Sequence, residues 1–435
     1  MNMQIYQAAF GAPDKTTFAM RDAVEKWFSL YYDSEITKTS DPSQRIAYTV
    51  VNKLMKTVFS EYAVTAGNPN LQALLDGLTG ISKEAMQLAL VGGECYIKPC
   101  VGERGFHFGV VPRNNMLIFA RNASGAPTDV GLAEKSTWGQ YYYTLLERRT
   151  LDEKGFLTIT NTLYRAGNSQ DLGQAVALAE HPAYGTLQSR YTYEIPLHCV
   201  GLVPLRTPML NCVDGSPEGV SVFAPAVGLI ENINRNEAQL NGEFDRGESR
   251  ILVSRDLLDE NRQFTDHLFV GLDEDAETVG ITTFAPQLRE ASFLARKQEY
   301  LRNVESIIGL KRGMLSDANM EERTATEINS SQSDFNLTVL DFRLMWEQML
   351  VKAVEMCRVL GKLYGLPDLG EEGYVLDWGN GVLYDRDAIW QDYRQMVSDG
   401  LMKPEIALGW RFHLPAETDS QQAEIRKKYM PEIES

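Results

Sequence analysis

No apolar run in this chain of 435 residues reaches the roughly 18 needed for a membrane-spanning helix, so no transmembrane segment and no membrane partner are expected. The opening MNMQIYQAAFGAPDKTTF has neither the basic segment nor the apolar core of a secretory leader. Basic charge is in deficit: 42 Lys and Arg stand against 59 Asp and Glu, a formal net charge of −17. A protein that grips nucleic acid by its phosphates needs a basic face, so tight adhesion to DNA is disfavoured, while passage of DNA without adhesion is not. Cysteine is sparse, five residues in an odd, scattered set, which suggests reduced thiols in a cytosolic setting rather than a disulfide framework. The chain contains no G-x-x-x-x-G-K-[ST], H-E-x-x-H, G-x-S-x-G or G-x-G-x-x-G. Phosphate-loop, zincin, hydrolase-elbow and dinucleotide chemistries therefore have no signature here, and no cofactor is expected. Internal repeats and low-complexity stretches are also missing.

What is present is the composition of a soluble globular protein, 44% hydrophobic and 23% charged, on a chain long enough for two or three compact units. Residues 14–34 and 43–66 read as helices, the second with Ile46, Val50, Leu54, Val58 and Tyr62 spaced by four. Residues 70–91 form a third, with Leu71, Leu74, Leu75, Leu78, Ile81, Ala85 and Leu88 as its apolar set. From Gly92 the texture becomes β: Glu94–Pro99, His107–Val111, Met116–Ala120, Tyr141–Arg148, Phe156–Tyr164 and Thr192–Ile195, with turns at Arg113–Asn115 and Asn122–Pro127. Residues 165–190 read as a long excursion from that sheet. A helical start feeding a mostly antiparallel sheet is an α+β plan, not a series of βαβ units.

A boundary follows at VDGSPEGV (213–220). Beyond it Phe223, Val227, Ile230, Ile233, Leu240 and Phe244 mark a helix of about 20 residues, roughly 30 Å long, with Gly247 as its stop. A small unit of three strands comes next, Ile251–Ser254, His267–Val270 and Thr278–Phe284, with an acidic turn Gly271–Glu277. Residues 287–308 return as helix, Leu294, Leu301, Val304 and Ile308 sharing a face. A compact β insert carried between two long helices sits at the end of a stalk. After a polar loop from Gly309 come Val339, Phe342, Trp346, Met349, Ala353, Met356, Leu360 and Leu363, an unslipped apolar stripe along one long helix. Thr324–Glu327 fits a capping box, and the weak propensity of Asn329–Asp334 favours a kink or a delayed start. Two short helices, Ile389–Val397 and Pro404–Trp410, precede a charged tail.

Several residue sets invite chemical readings, and each has a plainer one. Cys95 and Cys100 with His198, Cys199 and Cys212 have poor zinc spacing. Cys199 beside His198 suggests a nucleophile and base, but neighbours on a strand face opposite sides. Asp273, Glu274 and Asp275 lack the spaced ligands and glycine of a calcium loop. Lys311 and Arg312 suit either DNA phosphates or the C-terminal dipole of the preceding helix. The WGQYYY run (138–143) reads as strand packing.

SPEGVSVFAPAVGLIENINRNEAQLNGEFDRGESRILV (216–253) resembles the approach to the stem helix of tailed-bacteriophage portal proteins of the long-tailed-phage type. RTATEINSSQSDF (323–335) is similar to the family's segment between second stem helix and long wing helix, and GGECYIKP (92–99) with YYYTLLERRTLDEKGFLTITNTLYRAGNSQDLG (141–173) resembles its wing. The resemblance spans most of 40–365 in order. It implies an α/β wing (1–215), stem helices at 216–250 and 286–308, a β-rich clip at 251–285 and a tunnel loop at 309–332. A long kinked wing helix with a return strand (333–384) and a reduced helical crown (385–435) complete the plan. It also implies a non-enzymatic ring in the virion, usually of twelve copies, through which a large packaging motor (terminase) moves double-stranded DNA. A head–tail adaptor and the major capsid or scaffolding protein are its further partners, and assembly takes place in the host cytoplasm. The implied site residues are Lys311, Arg312, Ser316, Asn319 and Glu321 in the tunnel loop, and Asp273, Glu274, Asp275 and Glu277 on the clip. Phe342, Trp346, Met349, Leu340 and Leu344 are expected between subunits. Another structural head protein, or a thiol hydrolase using Cys199 or Cys95, is the alternative.

Overall fold

A computed structural model describes residues 3–32, 42–102, 105–246, 250–254, 269–272, 281–284, 288–317, 325–379, 386–412, 414–416 and 418–430. The architecture is α+β, in two compact units: residues 1–58 with 68–372, and residues 59–67 with 373–435.

The chain opens with α1 (Met3–Phe10), α2 (Phe18–Tyr32) and α3 (Ile46–Val58). The spacing by four predicts a helix running on to Tyr62 and beyond, but α3 stops at Val58 and Ala63–Ala66 forms strand β1. Helical periodicity yields there to pairing elsewhere in the chain. Helix α4 (Pro69–Gly92) starts where the Asn68 side chain accepts the amides of Asn70 and Leu71, with proline in the first turn. It ends at Gly93, φ 81°.

Strands β2 (Glu94–Gly102) and β3 (Gly105–Pro112) form a hairpin, and β4 (Met116–Arg121), β5 (Pro127–Trp138), β6 (Tyr141–Leu151) and β7 (Leu157–Ala166) a meander. β5 is not foreseen in the sequence, because PTDVGLAEKSTW does not alternate. It nevertheless pairs with β4 over Pro127–Leu132 and with β6 over Asp129–Trp138. The 165–190 excursion returns twice to the outer edge of β7, as β8 (Gln174–Val176) and β9 (Arg190–Thr192). β10 (Val203–Arg206) pairs with β2 to complete a second sheet, ordered β10-β2-β3. The apolar run MLIFA of β4 is buried on both faces. Met116 and Ile118 join Tyr96, Val130 and Leu202, while Leu117 and Phe119 join Tyr6 of α1 and Leu146. A strand covered on both sides reads as a continuous apolar run, not an alternation.

Helix α5 (Val227–Arg246) leads to β11 (Arg250–Ser254), β12 (Phe269–Leu272) and β13 (Ile281–Phe284), a three-stranded sheet with β11 in the middle, parallel to β12 and antiparallel to β13. Helices α6 (Glu290–Ile308) and α7 (Ala325–Tyr364) follow. The stop expected at Gly247 and the cap expected at Thr324 lie outside the described residues. α7 is helical without interruption through Asn329–Asp334, so the delayed start is not realised. Propensity differences below about 1 kcal/mol per residue are readily overridden. Against α3, β2 and β10, α7 buries a face that includes Phe335, Val339, Phe342, Trp346, Met349, Leu350, Ala353 and Cys357.

In the second unit β1 pairs antiparallel with β14 (Tyr374–Asp377), and the Tyr62 ring lies tilted 4.7 Å from that of Trp378, beside Phe59. Helices α8 (Arg386–Ser398), α9 (Pro404–Phe412) and α10 (Asp419–Tyr429) complete it. The charged tail expected after Trp410 is instead α10. A Thr418/Gln421 capping box starts it, buried Ile425 anchors it, Arg426 pairs with buried Glu405, and Tyr429 stacks on Phe412 at 4.6 Å.

Candidate functional site

Helices α5 and α6 pack as an antiparallel pair, because partner numbers rise on one as they fall on the other. Arg289 Nε lies 2.8 Å from Glu243, Asn236 donates to the Phe293 carbonyl at 3.1 Å, and Lys297 meets Glu237 at 2.9 Å. Ile230, Ile233 and Leu240 on α5 and Leu301, Val304 and Ile308 on α6 are all buried. Between the two helices in the chain come strands β11, β12 and β13.

The root of α5 is held by a buried charge network that sequence reasoning missed. Glu94, fully buried on β2, accepts from Arg206 (2.8 Å), from the Tyr96 hydroxyl (2.9 Å) and from the Gly219 amide (3.4 Å). Glu218, in the turn before α5, meets Arg113 at 2.6 Å and Arg121 at 2.9 Å. Burial alone would raise the Glu94 carboxyl, yet Arg206 and Arg113 hold it below its ordinary value. At the same corner the Gly93 and Gly219 backbones touch; a Cβ on Gly93 would stand 2.3 Å from the Gly219 carbonyl carbon. The one sequence signal for this network is an ionisable residue, Glu94, inside the otherwise apolar GGECYI.

The loop after α6 is built on a single carboxylate. Gly309 turns the chain at φ 75°, and any side chain there would strike Thr338 Oγ1 of α7 at 2.4 Å. Glu305, 1% exposed, then accepts the amides of Gly313 (3.1 Å), Leu315 and Ser316 (2.8 Å), and the Ser316 hydroxyl (2.8 Å) on its other oxygen. Ser316 is therefore buried, and Lys311 and Arg312 stand exposed on the turn. Ser316 thus serves as a fastening rather than a surface contact. Asn319 and Glu321, like Asp273, Glu274, Asp275 and Glu277, lie outside the described residues.

On α7 the five residues expected between subunits separate into two groups. Phe342, Trp346 and Met349 are at most 2% exposed, filled in by their own unit, so they have no surface to offer a neighbour. Leu340 and Leu344 are 42% and 51% exposed, and Leu337 and Val351 continue their stripe. Leu350, Val354 and Cys357, further along the same helix, are buried.

The thiols are poorly suited to nucleophilic work. Burial raises Cys95, Cys100 and Cys199, and pushes Cys357 up to about 12, the reverse of an activated thiolate. His198 and Cys199 lie on an irregular segment rather than a strand. The His198 amide bonds to Gly155 O at 3.0 Å, and its ring stands over Gly155. Among the described residues no three His, Cys, Asp or Glu side chains come together as metal ligands, and no helix is long and apolar enough to cross a membrane.

No family model and no curated protein matches the sequence. Solved structures do match. A chain from the neck of a native GTA (gene transfer agent) particle, computed with C12 symmetry, has the same fold with a TM-score of 0.50 and 11% identity, over 95% of this chain and 99% of that one. A chain from the neck of an empty GTA particle, computed with C6 symmetry, gives a TM-score of 0.46 and 12% identity over 94% and 98%. At such identity the likeness is one of fold.

Proposed function

We propose that this chain is a portal protein, the subunit of a ring-shaped channel at one vertex of a phage-type capsid. The observation that carries the reading is a fold shared over 95% of this chain with a chain in a particle neck computed with C12 symmetry, in a protein whose α5–α6 pair brackets a three-stranded sheet in the sequence. In this reading α5 and α6 are stem helices, the sheet between them is the clip, and the Glu305-fastened turn begins the tunnel loop. Residues 1–215 with α7 form the wing, and residues 385–435 a reduced crown.

The physical chemistry fits DNA that moves rather than DNA that is held. A net charge of −17 repels phosphates at short range, and physiological salt screens that repulsion beyond about 10 Å. Lys311 and Arg312 would supply brief contacts at a constriction, and the acidic residues Asp273–Glu277 would dock the packaging motor or the head–tail adaptor. Closure into a ring uses two different faces of each subunit. Electron microscopy of the purified protein tests the reading directly. Rings with an axial hole are expected, and a compact monomer at high concentration would refute it.

A further inference from the structure

One flank of the α5–α6 pair is basic, in a chain that is strongly acidic. A groove of about 380 Å³ runs between the helices, with Asn232, Arg235 and Gln239 on the α5 side and Arg289, Ser292 and Arg296 on the α6 side. Among the described residues no carboxylate lines it. Glu243 is bonded to Arg289, and Glu290, in the first turn of α6, is not a lining residue. The guanidiniums rest on aromatic rings: Arg296 lies 4.7 Å over Tyr300, and Arg289 5.8 Å over Phe293. Such stacking limits the freedom of these side chains; with Arg289 already bonded to Glu243, Arg235 and Arg296 are the guanidiniums left to face an anion. The 19-residue helix α6 starts at Arg289 without a side-chain cap, so the positive end of its dipole adds to the same groove.

We propose that the groove binds the phosphodiester backbone of duplex DNA. The inference rests on the portal reading for the source of the ligand, and on the groove itself for its chemistry. Arginine forks match phosphate oxygens in pairs, and the amide and hydroxyl groups of Asn232, Gln239 and Ser292 supply further donors. Arg289 and Arg296, seven residues apart, are separated by about 10 Å along the helix, roughly three steps of one DNA strand. A basic notch in an otherwise repelling surface is a foothold that DNA can take and leave.

The test is fluorescence anisotropy of a short labelled duplex with the full-length protein, at several salt concentrations, for wild type, R235Q/R289Q/R296Q and R235K/R289K/R296K. The glutamine variant should bind roughly tenfold more weakly or worse, with a log–log salt slope shallower by up to about 2.7, while the lysine variant keeps the slope. Equal affinity and slope in the glutamine variant overturn the proposal. So does pyrophosphate binding at this groove by a protein that does not bind duplex, which marks a small-anion pocket. Electron microscopy of the same samples separates the two readings. If wild type forms rings and the glutamine variant does not, the groove is a contact between neighbours and the DNA proposal falls. If wild type forms no rings, the portal reading falls, and anisotropy alone decides the groove.

Discussion

Two carboxylates, Glu305 and Glu147, concentrate the consequences of single-residue change. Glu305 alone satisfies four donors of the loop at 313–316. Glu305→Ala should therefore destabilise the chain by about 2–4 kcal/mol and speed tryptic cleavage after Lys311 and Arg312. Limited proteolysis with mass spectrometry reads this, and unchanged cleavage there would show that the loop does not depend on Glu305. Glu147 lies between Lys98 (2.6 Å) and Arg149. Burial opposes its ionisation, but Arg149 and Lys98 hold its carboxyl at about 2 against an ordinary 4.5. A depressed carboxyl contributes stability that is complete above its unfolded value and lost as pH falls through the folded one. The melting temperature should thus drop between about pH 4.5 and 2. Glu147→Gln should be weaker by about 3–5 kcal/mol at neutral pH, with a shallower acid slope, both readable by denaturant and thermal scans.

At the scale of elements, α7 gives the sharpest contrast. Its stripe from Val339 to Leu360 was legible as an unbroken three-and-four spacing, but the spacing could not say which partner covers which residue. Phe342→Ala should cost the isolated chain about 3–5 kcal/mol, whereas Leu340→Glu with Leu344→Glu should leave its melting temperature nearly unchanged and lower its assembled fraction in mass photometry. Equal loss of folding in both would mean that Leu340 and Leu344 serve the interior. Helices α4, α5 and α6 were readable because each carries a clear apolar face, with Gly92 and Gly309 marking where the first and last of them give way. β5 escaped notice because its burial comes from two flanking strands rather than from its own alternation. The stop of α3 and the helical tail α10 were set by distant partners, β14 with Trp378 and Glu405 with Phe412. Of the site, the exposed Lys311 and Arg312 were visible in the sequence. The Glu305 fastening was not, because nothing in VESII distinguishes a buried glutamate from a surface one.

For the whole molecule, twelve copies of a 48.9 kDa chain would weigh about 590 kDa. Mass photometry should find a species of that order, and its persistence on dilution would measure how firmly the subunits hold. Lys311→Glu with Arg312→Glu should leave that mass unchanged and reduce DNA packaged per particle; normal packaging would remove the pair from the channel.

Helix α7 also has a mechanical consequence. Forty residues of unbroken helix measure about 60 Å along the axis, and one face of them is buried from Phe335 to Leu360. Its hydrogen bonds run along its length and resist stretching, so the rod carries no slack. Any change that moves this shaft has to disturb the face buried from Phe335 to Leu360, so its position and the packing of the core are set together.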